Sequence, residues 1–201
     1  MPESYLKEAV RRLVHGLGRN YSLDMSFVQI VDRTNAVIGK SAAWLGLIMV
    51  LIGAANALGG YLEPYLGRRL SFVALDEGQW YLFSVLFLAA APWALCEDAH
   101  VRVDVLYGRL GPKGKAWTNL LGSLLLLIPF CVFAIWVLTP SAIESFRVRE
   151  VSPDAGGLVR WPIRLVAPLA FCLLGLQGMA SVIRATQVIC SAKEEGTTDA
   201  D

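Results

Sequence analysis

The sequence predicts an all-α integral membrane protein: four transmembrane helices, an N-terminal amphipathic interfacial helix, and a short interfacial helix between spans 2 and 3. Four stretches without a charged residue, 42–62, 78–95, 116–138 and 165–183, each come close to the ~20 residues a helix needs to cross a ~30 Å hydrocarbon layer. The chain is 55% hydrophobic and only 17% charged over 201 residues, too apolar for a protein whose surface must be wetted. Turn signals stand between the stretches, at Glu63-Pro64 and Gly67, at Gly111-Pro112, and at Ser152-Pro153-Asp154 with Gly156-Gly157. A soluble protein with four buried helices is the competing reading. It would need an outer shell of amphipathic helices that the remaining residues cannot supply.

In order along the chain, residues 1–35 read as a cytoplasmic amphipathic segment. Leu6, Val10, Leu13, Val14 and Leu17 recur every three or four residues, while Lys7, Glu8, Arg11 and Arg12 point elsewhere. A helix with that pattern lies in the membrane interface; a frayed tail with chance periodicity is the alternative. These residues are charged throughout and hold no long apolar core, so a cleaved signal peptide is not expected. A second helical pattern, Phe27, Ile30, Val31, Thr34, Val37 and Ile38, runs straight into the first span, with Asp32, Arg33 and Lys40 ahead of the hydrocarbon. Residues 36–190 form the four-helix membrane domain. Asp76-Glu77 opens its second helix, where carboxylates complement the helix dipole.

After that helix, His100, Arg102 and Asp104 alternate with Val101, Val103 and Val105. The alternation suggests a strand, but a lone strand at a membrane surface leaves its backbone groups unpaired, so a short interfacial helix is expected. Arg160-Trp161-Pro162 sets an aromatic anchor and a proline at the start of the last span. Residues 191–201 are small, polar and acidic and read as a disordered cytoplasmic tail.

Cations set the orientation, because Lys and Arg are retained on the cytoplasmic side. Twelve fall before span 1, between spans 2 and 3, or after span 4; six fall in the other two loops. Both termini are therefore expected in the cytoplasm. The net charge of +1 says nothing about partners, and no nucleic acid is expected among them.

The chemistry is defined by what is missing. The two histidines, His15 and His100, lie outside the spans, so no facing pair exists for a haem. Cys96, Cys131, Cys172 and Cys190 show no C-x-x-C spacing. Phosphate loops, zinc motifs and nucleophile elbows are absent, and no cofactor or catalytic residue is expected. The spans carry no ionisable residue of the kind that proton and ion pathways use. Asn56 and Gln177 are buried within spans, where such groups more often link helices than bind ligands. These features fit a supporting membrane subunit.

Asp76-Glu77-Gly78-Gln79-Trp80-Tyr81-Leu82-Phe83, then an apolar span, then Ala99-His100-Val101-Arg102-Val103-Asp104-Val105-Leu106, resembles the signature of the DctQ-like small membrane subunit of tripartite ATP-independent periplasmic (TRAP) transporters. The similarity runs from about residue 32 to residue 184. Ser152-Pro153-Asp154-Ala155-Gly156-Gly157-Leu158 with Arg160-Trp161-Pro162 is similar to the branch labelled for mannitol, chloroaromatic or dicarboxylate-type substrates. The resemblance implies a bacterial inner-membrane scaffold for a large many-span permease subunit, which holds the ion and substrate sites. It also implies a soluble periplasmic solute-binding protein as the third component, and uptake of a small organic acid or related solute. Carried over with it are Glu77 and Trp80 near the periplasmic end of the second helix and His100, Arg102 and Asp104 on the cytoplasmic side, with Arg102 and Asp104 linking to the large subunit or within their loop. Arg160, Trp161 and Gln177 complete the candidate interface or structural polar residues. An accessory four-helix subunit of an energy-converting or photosynthetic complex stays open as an alternative, and a membrane enzyme or redox protein is the third.

Overall fold

The computed structural model describes residues 21–67, 72–97 and 110–198. Helix α1 (Tyr21–Leu66) is followed by α2 (Val73–Cys96); α3 (Pro112–Leu121), a π-helical segment (Gly122–Leu127) and α4 (Ile128–Arg147) form one continuous rod, and α5 (Trp161–Thr198) closes the chain. No strand occurs among the described residues; one isolated antiparallel bridge joins Val151 and Val159. Four of these helical runs are long and apolar enough to cross a membrane, and each contains one of the stretches read from the sequence.

The distribution of polarity inverts that of a soluble protein. The largest fully buried side chains include Gln177 and Asn35, whereas Trp44, Leu126 and Trp136 are each about 70% exposed. Apolar side chains outside and amides inside are stable only where the surrounding medium is hydrocarbon or a partner chain. The all-α membrane fold is therefore what the molecule has.

Helix α1 joins the pattern 27–38 to the first span, as the sequence predicts, and is longer than the span alone. Its 46 residues, rising ~1.5 Å each, make a rod of about 69 Å, more than twice the hydrocarbon thickness. The pattern 27–38 and the first span are thus one uninterrupted helix, beginning at least fourteen residues before the predicted boundary at 35. Gly67, with φ +61°, ends it by donating its N–H to Glu63 O at 3.0 Å. Helix α5 likewise continues to Thr198, so 191–198 is helical and not the disordered tail that its composition suggests. The N-terminal amphipathic pattern at 6–17 and the interfacial helix between spans 2 and 3 lie outside the described residues.

Glycines bring α1 and α2 together. A Cβ on Gly39 would overlap Trp93, one on Gly46 would touch Leu86 at 3.4 Å, and one on Gly53 would overlap Gln79. One series climbs by seven as the other falls by seven, so the helices are antiparallel and meet every second turn, as in a left-handed helix pair. Small residues at such contacts let two backbones approach, which is the main source of helix association in lipid. Helix α5 lies against every other span. It meets α1 through Val28 and Val31 against Ala180 and Ile183. Against the third rod, Cys131 faces Gly175, Leu127 faces Gly178, and the Phe130 and Phe171 rings meet edge to face at 5.7 Å.

Candidate functional site

Two polar clusters stand at opposite ends of the bundle. At the first, α1 and α5 are joined by a chain of hydrogen bonds. Asn35 Nδ2 donates to Gln177 Oε1 at 2.6 Å, Gln177 Nε2 donates to Asp32 Oδ1 at 2.8 Å, and the Arg184 guanidinium grips both Asp32 oxygens at 3.1 and 3.2 Å. The spacing explains the arrangement: Asp32 and Asn35 share a face of α1 three residues apart, and Gln177 and Arg184 share a face of α5 seven apart. The charged pair sits at the partly exposed end and the neutral pair is fully buried, so the cost of desolvation falls on the groups that bear it best.

This cluster yields a measurable coupling. Gln177→Leu strands the Asn35 amide in the interior and is expected to cost about 1–3 kcal/mol. Asn35→Leu is expected to cost a similar amount, and the double substitution about 0.6–1.7 kcal/mol less than the two together. Equilibrium unfolding of the three variants in detergent measures it; strict additivity would show that the two amides do not act as a pair.

At the opposite end, the loop after α4 folds back over α2. Its first and last turns are tied by Ser152 N–H donating to Leu158 O at 2.9 Å and Arg160 N–H to Glu150 O at 2.8 Å. Gly156, at φ +82°, supplies the left-handed turn between them. The loop closes around Glu77, which is 4% exposed. The Glu77 carboxylate accepts hydrogen bonds from Ser152 Oγ and the Leu158 N–H, and Arg160 Nη2 lies 3.5 Å away. Gly157 is required here, because a Cβ would overlap Ser152 and lie 2.7 Å from Glu77 Oε2. Tyr81 adds an O–H donated to Val159 O at 3.2 Å, and Arg164 bridges Glu150 at 2.8 Å and Ser141 at 3.1 Å.

The remaining residues of this end form an aromatic rim. Trp80, 44% exposed, stands edge-on to Tyr81 with centroids 4.4 Å apart. A cleft of about 330 Å³ between α2 and α5 is lined by Trp80, Ser84 and Leu88 on one side and Arg160, Ile163 and Arg164 on the other. Trp161 packs edge to face on Phe146 at 5.2 Å, and Arg149 lies over both rings, 4.5 Å from Phe146 and 5.3 Å from Trp161. Arg149 has φ +52°, a left-handed backbone that costs a non-glycine residue about 1–3 kcal/mol.

Of the candidate residues, Glu77 and Arg160 meet directly, Trp80 and Trp161 flank them, and Gln177 belongs to the opposite cluster. His100, Arg102 and Asp104 lie outside the described residues. Asn56 bonds the start of α2: its Nδ2 donates to Asp76 at 2.8 Å and its Oδ1 accepts the Phe72 N–H at 2.9 Å. Sequence reasoning passed over Asn35, Asp32 and Arg184 as a set, and Ser152 as the partner of Glu77. Polar residues at helical spacing on both α1 and α5 were the available signal for the first; for the second there was none. Among the described residues no group of three His, Cys, Asp or Glu side chains could hold a metal ion.

The profile of the DctQ component of tripartite ATP-independent periplasmic transporters matches residues 49–188, which is 140 of the 201 residues. No curated protein and no solved structure matches the chain. The match takes in all or part of each of the four apolar helices, both Glu77 and the loop that closes on it, and Gln177. The chain belongs to the DctQ family, the small permease component of TRAP transporters.

Proposed function

We propose that this chain is the scaffold subunit of a TRAP permease in a bacterial inner membrane, standing beside a large many-span subunit that carries the ion and substrate sites. The complex takes up a small organic acid or related solute delivered by a periplasmic binding protein. Family membership carries this reading. It is supported by how the interior polar side chains are used: Asn35, Asn56 and Gln177 each bond another group of the same chain. Internally bonded amides brace helices against one another, as befits a static part.

In this reading both termini are cytoplasmic and the Glu77 end is periplasmic. Glu77 holds the loop 150–160 in one shape, and Trp80, Arg160 and Trp161 form the rim presented toward the binding protein. His100, Arg102 and Asp104 stand on the cytoplasmic side, where Arg102 and Asp104 form polar links to the large subunit or within their loop. The chain acts without cofactor and has no enzymatic activity of its own.

Affinity purification of the tagged chain from native membranes in mild detergent tests the assignment. The expected outcome is a stoichiometric large polytopic protein. Recovery with a pigment or redox complex would transfer the chain to a different assembly.

A further inference from the structure

Independently of the permease role, α4 carries a groove that the bundle leaves open. It has a volume of about 570 Å³, runs from Ile135 to Arg147, and is floored by Trp136, Thr139, Pro140 and Ile143. Twelve residue steps of ~1.5 Å make it about 18 Å long, close to the depth of one leaflet of a ~30 Å hydrocarbon layer. Its floor is apolar, since the Thr139 hydroxyl turns away to donate to Ile135 O at 2.6 Å.

The end of the groove is charged. Arg147 and Glu144 stand 3.7 Å apart with side chains 71% and 64% exposed, a loose surface pair. Beside them Arg149 is laid on the Phe146 and Trp161 rings in a left-handed backbone, and no carboxylate pairs with it among the described residues. Glu150, the neighbouring acid, is taken by Arg164 at 2.8 Å. Arg147 and Arg149 thus place two guanidinium groups at this end of the groove, with Glu144 the one acid on its lining, at the depth of the aromatic belt.

We propose that the groove seats one anionic glycerophospholipid. Its phosphodiester is held by Arg147 and Arg149, and one acyl chain lies along α4 against Ile143, Pro140 and Trp136. Guanidinium groups present paired donors that match phosphate oxygens, and stacking on two rings fixes Arg149 before the lipid arrives. An apolar trough one leaflet long, with two guanidinium groups at its end, complements a lipid whose phosphodiester charge is not neutralised by a headgroup cation.

Native mass spectrometry of the delipidated protein, with whatever partner remains bound to it, titrated with dioleoyl phosphatidylglycerol and separately with dioleoyl phosphatidylcholine, tests the site. The expected result is one retained phosphatidylglycerol per chain, held more tightly than phosphatidylcholine. In the Arg147→Gln, Arg149→Gly double variant its affinity falls by about thirtyfold, the scale of two arginines lost at a lipid surface. Arg149→Gly alone is expected to keep the wild-type melting midpoint, because glycine accepts the positive φ, so loss of lipid there is not loss of fold. Ile143→Trp, which fills the groove, is expected to weaken both lipids. Equal retention of phosphatidylglycerol by wild type and the double variant, equal affinity for the two lipids, or a helix of a partner protein occupying the groove in a structure of the complex would overturn the proposal.

Discussion

Gly39→Ala is expected to lower the melting midpoint of the purified protein, although it adds a single methyl group. The new Cβ would overlap the Cβ of Trp93 and lie 2.6 Å from its Cγ, atoms at the root of the side chain that no rotamer change can withdraw. The two helices must then part. Overpacking of this kind costs about 1–3 kcal/mol, or roughly 2–4 °C in melting midpoint per kcal/mol for a chain of this size. Gly122→Ala is the matched control: Gly122 has helical angles, φ −62° and ψ −43°, and nothing within 4 Å of an added Cβ. There the substitution is expected to gain about 0.5–1 kcal/mol from helix propensity. Opposite signs in the two thermal unfolding curves would establish that α1 and α2 are held by close backbone approach; equal effects would refute it.

Glu77→Ala is expected to free the loop over α2. The substitution removes the common acceptor of Ser152 Oγ and the Leu158 N–H and leaves Arg160 without its carboxylate. Proteolysis at the exposed tip, Pro153 to Gly156, should accelerate by about tenfold or more, since local opening follows the lost hydrogen bonds directly. Ser152→Ala, which deletes one donor and leaves the carboxylate in place, should have a smaller effect. Glu77→Gln should fall nearer to alanine than to wild type, because its amide NH₂ turns a donor toward donors. An unchanged cleavage pattern in Glu77→Ala would mean that the backbone pairing between Ser152 and Leu158 holds the loop unaided.

The spans could be read from the sequence because an uncharged run of about twenty residues has few other uses. The length of α1 was legible in part, from the helical pattern at 27–38 that runs into the first span. Asp32, Arg33 and Lys40 interrupt the apolar pattern, yet a charge does not break a helix, and Asp32 is answered by Gln177 and Arg184 from the far end of the chain. Glu77 was legible as an acid near a helix start and as part of a family signature. Its true surroundings were not, because turn residues announce a loop without saying where it folds. Glycines at 39, 46 and 53 recur every seven residues, a visible sign of a helix contact, although the partners Trp93, Leu86 and Gln79 required the structure. Arg149 gave no signal at all, since the residues that favour positive φ are glycine, asparagine and aspartate.

The central claim is that this four-helix unit stands against a large membrane protein. A photo-crosslinking amino acid placed singly at exposed apolar positions on each helix, among them Trp44, Leu51, Phe87, Trp136 and Leu169, would test it in native membranes. The expected result is adducts to one large polytopic protein, confined to a contiguous face, with the remaining positions labelling lipid alone. Lipid adducts at every position, on every helix, would contradict the scaffold role.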